Sequence, residues 1–143
     1  MRLDFGPLTN SVRGRPTRAQ TNKFPRSILV VDDEAYVCDA LKMLLTLDGH
    51  EVATANSGLE ALALFSQRRF DVVITDYSMP AMKGDELALA IKSRNPTQPI
   101  VMITAYVEVL TGSTRAPLNG IDVLVSKPFR LEQLREAIAK VLA

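Results

Sequence analysis

Residues 28–34 read ILVVDDE, four apolar side chains followed at once by three acids. A short apolar run of this kind, rich in β-branched residues and bounded by polar ones, reads as a strand. The same arrangement recurs downstream. Asp76 follows DVVIT at 71–75, Thr104 closes PIVMIT at 99–104, and Lys127 follows DVLVS at 122–126. With EVATA at 51–55, the predicted strands are roughly 28–32, 51–55, 71–75, 100–104 and 122–126.

Helical periodicity fills the intervals. A first helix over about 34–47 places Val37, Leu41, Leu44 and Leu45 on one face. A second begins at Ser57, where Ser57 and Glu60 have the spacing of a capping box. A third over 84–94 uses Leu87, Ala90 and Ile91, and the last repeats Leu131, Leu134, Ile138 and Val141. The alternation also calls for a helix over 106–119. Gly112, Pro117 and several Thr and Ser residues oppose a long one there, so an irregular fourth helix is expected.

Strands and helices in this order predict an α/β fold with a single doubly wound, five-stranded parallel sheet. Right-handed crossovers place helices on both faces. The expected strand order is the flavodoxin-like 2-1-3-4-5, with its switch point between strands one and three. Asp32, Asp33 and Asp76 then flank the crevice where ligands of such sheets bind. Three carboxylates there repel one another and ask for a cation, and oxygen-only ligands suit Mg²⁺. A lysine and a hydroxyl beside them suggest an anion, such as a phosphoryl group. Blander roles compete with each. Asp32, Asp33 and Glu34 suit the cap of a helix, Lys127 could form a structural ion pair with Asp76, and Thr104 could serve only as a β-branched strand residue. Cys38 reads as a small packing residue and His50 as a surface turn residue.

The chain has 143 residues, 47% hydrophobic and 23% charged, with a net charge of +1. That is enough for one domain with its own core. No apolar stretch reaches the roughly 18 residues of a membrane helix, and the N-terminus lacks the apolar segment of a secretory signal. A lone cysteine precludes an internal disulfide and points to a reducing, cytoplasmic compartment. With one histidine and no serine elbow, a Ser-His-Asp hydrolase is not expected. Without a GxGxxG after strand one or a Walker A segment, neither are dinucleotide and P-loop chemistries.

Charge is unevenly placed. Residues 1–26 carry six basic side chains and the single acid Asp4, whereas residues 27–143 carry 11 basic and 15 acidic ones. The expected organisation is a basic, disordered arm over 1–26 and one domain over 27–143. Nucleic-acid binding would rest on the arm alone, which lacks aromatic interleaving and any dense Lys/Arg block.

Taken together, VVDDE at 30–34, DYSMPAMKGDEL at 76–87, ITA at 103–105 and KPF at 127–129 make the segment from Arg26 to Ala143 resemble the receiver domain of two-component response regulators. The resemblance implies a phosphoacceptor domain rather than a turnover enzyme. Asp76 would take a phosphoryl group from a phosphohistidine on a sensor histidine kinase or a histidine phosphotransfer protein. Asp33, Asp76 and the backbone carbonyl of Ser78 would hold Mg²⁺ directly, and Asp32 through water. Thr104 would hydrogen-bond a phosphoryl oxygen, and Lys127 would pair with the group across a cis Lys127–Pro128 bond. Gly84 would close the loop after Asp76. Ser78 and Tyr106 would border the phosphoryl group, and their side chains imply a lifetime of minutes or longer.

Two departures bear on output. Leu124 stands where the family usually has the Phe or Tyr whose ring swings inward, and 106–119 is irregular. The implied partners are a downstream protein target or output domain, or a second copy of the chain, with no membrane partner. An alternative is a receiver-fold module that binds partners without a phosphorylation switch. A Mg²⁺-dependent phosphatase using Asp76 is disfavoured, because Ser78 stands where such enzymes typically carry a second acid.

Overall fold

The structure, a computed structural model, describes residues 25–105 and 120–143. Five strands, β1 (Ser27–Val31), β2 (Glu51–Ala55), β3 (Val72–Asp76), β4 (Ile100–Thr104) and β5 (Val123–Ser126), form one sheet in the order β2-β1-β3-β4-β5. Every neighbouring pair is parallel. The described helices are α1 (Ala35–Leu47), α2 (Gly58–Gln67), α3 (Gly84–Arg94) and α4 (Leu131–Leu142). The helix expected over 106–119 and most of the expected arm over 1–26 lie outside the described residues.

The runs that lack polar alternation form strands because both faces of the sheet are covered, as parallel sheets require. β3 and β4 are buried at every position. Successive side chains point to opposite faces, and two cores result. Ile28, Val30, Ile74 and Val101 pack with Cys38, Leu41 and Leu45 of α1 and with Leu134 and Ile138 of α4. Leu29, Val31, Val73 and Ile100 pack on the other face with Ala61 of α2 and with Leu87, Ala88 and Ile91 of α3. Of the stripe expected on α1, Leu41 and Leu45 are buried and Val37 packs partly buried against them; Cys38 joins them, whereas Leu44 is only half-buried.

Local signals set the helix starts. At α2, Ser57 Oγ accepts a hydrogen bond from the Glu60 N–H at 3.1 Å, as the spacing predicted. The return bond differs, since the Glu60 carboxylate accepts from the Asn56 N–H at 2.7 Å, one residue earlier than in a capping box. His50 is not simply a surface turn residue. It is half-buried, and its Nδ1 accepts the Arg26 N–H at 3.1 Å, tying the entry of β1 to the turn after α1.

Candidate functional site

β1 and β3 are adjacent and parallel, with Val31 level with Thr75. The residues that follow Val31 and the last residue of β3 therefore emerge together at the carboxyl edge of the sheet. Asp32, Asp33 and Asp76 each present a carboxylate oxygen within 4.8 Å of the other two. Asp32 is 3% exposed and Asp76 9%, while Asp33 faces solvent. Lys127, just beyond β5, reaches across β4. Its Nζ lies 3.4 Å from Asp32 Oδ2 and 3.4 Å from Asp76 Oδ1. Thr104, fully buried at the end of β4, accepts the Lys127 N–H through its carbonyl at 2.9 Å and so anchors the base of the lysine. Asp33, Glu34, Asp76, Ser78, Ala105 and Lys127 line an open cleft of about 320 Å³.

The charges are unbalanced, with three carboxylates against one ammonium. Burial pushes the Asp32 carboxyl above its usual range. The Glu34 N–H and Lys127 pull it down, Asp76 pushes it up again, and the net direction is upward. Burial alone would lower the Lys127 ammonium, but the charges of Asp32 and Asp76 outweigh it and raise its pKa. Hard oxygen ligands carrying more negative charge than the protein neutralises fit a divalent cation that keeps part of its water, as Mg²⁺ does.

Asp32 also does part of the capping work. Its Oδ1 accepts the Glu34 N–H at 2.9 Å, a local turn of the kind Asp favours, while Glu34 itself makes no side-chain cap. Lys127 pairs with Asp32 as well as with Asp76. Oδ1 of Asp76 accepts the Tyr77 N–H at 2.9 Å and lies 3.4 Å from Lys127 Nζ, and the residue lines the cleft. The Lys127–Pro128 bond is cis.

Gly84 closes the β3–α3 loop through its N–H to the Tyr77 carbonyl at 2.9 Å. A Cβ at Gly84 would overlap the Asp76 carbonyl oxygen, so only glycine lets α3 begin so close to the acid. Ala81 in the same loop holds φ at 68°, a left-handed conformation that costs an L-residue energy. Tyr106 lies outside the described residues. Leu124 is half-buried on β5, level with Met102.

One residue of this region escaped the sequence reading. Asn56, between β2 and the Ser57 cap, donates through Nδ2 to the Asp32 carbonyl at 3.1 Å. Cys38 Sγ lies 3.4 Å from the same oxygen. Its thiol is pushed up to about 11, by burial first and then by the nearby Asp32 charge, so it stays protonated and can donate. An Asn before an N-cap is visible in sequence, but not the carbonyl that it meets.

A parallel 2-1-3-4-5 sheet with acids at the carboxyl ends of its first and third strands and a lysine after its fifth is the arrangement expected of a receiver. Residues 28–139 match the family model of the response regulator receiver domain. The chain belongs to that family and is homologous to two-component response regulators. It is 38% identical over 116 residues to the transcriptional regulatory protein ZraR of Klebsiella oxytoca, covering 81% of this chain and 26% of that one. It is 34% identical over 110 residues to the probable transcriptional regulatory protein TcrX of Mycobacterium tuberculosis, covering 77% of this chain and 47% of that one. The chain thus spans between a quarter and a half of the length of these curated relatives. Among solved structures, the response regulator TrrA of Thermotoga maritima in complex with Mg²⁺–BeF is similar at a TM-score of 0.73 and 35% identity, covering 82% of this chain and 99% of that one. A receiver domain from Clostridium thermocellum is similar at a TM-score of 0.74 and 34% identity, covering 81% and 93%. No helix among the described residues is long and apolar enough to cross a membrane.

Proposed function

We propose that Asp76 is the phosphoacceptor of a Mg²⁺-dependent switch, taking its phosphoryl group from a phosphohistidine on a sensor histidine kinase or histidine phosphotransfer protein. The observation that carries this reading is the meeting of three carboxylates with one lysine at the carboxyl edge of the sheet. A carboxylate oxygen of Asp76, which lines the cleft, forms the new O–P bond as the N–P bond breaks. The leaving imidazole keeps the electron pair and takes up a proton from solvent. Little else is covalent, so positioning and charge stabilisation do most of the work.

Asp33, Asp76 and the Ser78 carbonyl would hold Mg²⁺ in this reading, and Asp32 would assist through water. When bound, the ion supplies positive charge where the phosphoryl oxygens accumulate negative charge. The similarity to TrrA, solved with Mg²⁺–BeF, supports that choice of ion. Lys127 turns from its two carboxylates toward the phosphoryl oxygens, and the Thr104 hydroxyl bonds one of them. The changed contacts then act on a downstream target or output domain in the cytoplasm, and the domain itself performs no turnover chemistry.

Incubation with Mg²⁺ and acetyl phosphate, followed by intact mass, tests the reading. Wild type gains one phosphoryl group and Asp76→Asn gains none. A wild-type protein that stays unmodified while a known receiver is phosphorylated beside it would move the function to constitutive partner binding.

A further inference from the structure

The peptide between Asp32 and Asp33 lies just past the end of β1. The Asp32 N–H still donates to the Ala55 carbonyl of β2 at 3.1 Å. The Asp32 carbonyl is met instead by two side chains, Asn56 Nδ2 at 3.1 Å and Cys38 Sγ at 3.4 Å. These two also touch each other at 3.7 Å, and Cys38 Sγ lies 3.6 Å from the Ala55 carbonyl. The Cys38 thiol is thus placed to share its proton between the Asp32 and Ala55 carbonyls, and the Asn56 amide to donate to the Asp32 carbonyl and the sulfur. Asn56 is held in turn, since its own N–H donates to Glu60 at the start of α2.

The consequence falls on Asp33. Asp32 has its own restraints, the Glu34 N–H and Lys127. For the Asp33 carboxylate, no hydrogen bond or ion pair is found among the described residues, and the side chain is exposed. Its direction is therefore inherited from the backbone, and the carbonyl clamped by Asn56 belongs to the peptide immediately before it.

We infer that Asn56 is a positioning residue for the cation site, holding the Asp32–Asp33 peptide so that Asp33 meets the narrow geometric demand of Mg²⁺ rather than the looser demand of Ca²⁺. The inference rests on the proposed function, which makes Asp33 a ligand. Its physical basis is that Mg²⁺ requires near-ideal octahedral ligands at about 2.0–2.1 Å, whereas Ca²⁺ accepts about 6–8 oxygens at longer, variable distances. Groups that orient a ligand without touching the metal commonly matter about 10–100-fold in affinity.

Calorimetric titration with Mg²⁺ and, separately, Ca²⁺ tests this on wild type, Asn56→Ala, Ser57→Ala and Asp33→Asn. Asn56→Ala is expected to weaken Mg²⁺ about tenfold and Ca²⁺ less than about threefold, a change in selectivity that general loosening would not produce. Ser57→Ala removes the α2 cap but leaves the clamp, and should keep the wild-type ratio. An Asn56→Ala protein that binds Mg²⁺ like wild type, loses both ions equally, or behaves like Ser57→Ala overturns the inference alone. A wild type that takes up no Mg²⁺, or an Asp33→Asn variant that binds it unchanged, overturns the proposed metal site and this inference with it.

Discussion

Lys127 Nζ lies 3.4 Å from Oδ1 of Asp76, a residue two strands away in the sheet, and its base is anchored by the carbonyl of Thr104 on the strand between. The same ammonium stands equally far from Asp32. One cation thus offsets two buried carboxylates. Lys127→Met should therefore cost stability as well as phosphoryl transfer. With the lysine side chain 26% exposed, the cost should fall below the full penalty for a buried pair, at about 1–2 kcal/mol. Denaturant unfolding at neutral pH without metal measures it. Adding Asp32→Asn to the variant should recover part of the loss, and a double variant no more stable than Lys127→Met would contradict the shared-cation account.

Asp32 ionises against its surroundings, because burial and Asp76 both oppose its charge. Asp32→Asn should raise the melting temperature of the metal-free protein by a few degrees, equivalent to about 1 kcal/mol. It should also reduce the further rise that Mg²⁺ gives to wild type. Thermal melts with chelator and with Mg²⁺ provide both numbers. A variant less stable than wild type without metal would mean that the Glu34 and Lys127 bonds outweigh the repulsion.

Gly84 is required by the Asp76 carbonyl beside it. Gly84→Ala forces a Cβ against the backbone carbonyl of Asp76 and should cost about 2–3 kcal/mol, at the upper end for overpacking. It should also depress phosphorylation by displacing Asp76. Unfolding curves together with the acetyl phosphate assay check both effects, and a stable but inactive variant would separate them.

Ala81 offers the opposite change. At φ 68° the left-handed cost of about 1–2 kcal/mol is partly offset, in Ala81→Gly, by the looser unfolded chain. A net gain of about 0.5–1 kcal/mol is expected in the denaturant midpoint. No gain would show that the loop relaxes around the alanine.

His50 gives stability a pH dependence. Burial, the largest influence, lowers its pKa from 6.5, with Arg26 adding to that and Asp48 and Asp71 opposing it. The unfolded chain then binds a proton more readily than the folded one, so stability rises with pH in this window. The contribution is complete above about pH 6.5 and is lost as pH falls toward the lower, folded value. His50→Asn, which keeps an acceptor for the Arg26 N–H, should flatten the profile between pH 7 and 5.5. Parallel slopes for the two proteins would remove His50 as the cause.

Local pattern in the sequence is enough to identify the elements and much of the edge they share. Apolar runs such as ILVV and VVIT are strands, the Ser57 cap starts α2, and acids that follow β1 and end β3 must converge once the strands are parallel. These features depend on neighbours a few residues apart, so periodicity and turn chemistry reveal them. What the tertiary structure decided depends on contacts between distant segments. That Lys127 serves Asp32 as well as Asp76, that His50 pins Arg26, and that Asn56 and Cys38 clamp the carbonyl before Asp33 all follow from how β1, β2, α1 and β5 come together. A side chain's type states which bonds it can make, and only the packed fold determines which partner stands within 3–4 Å of it.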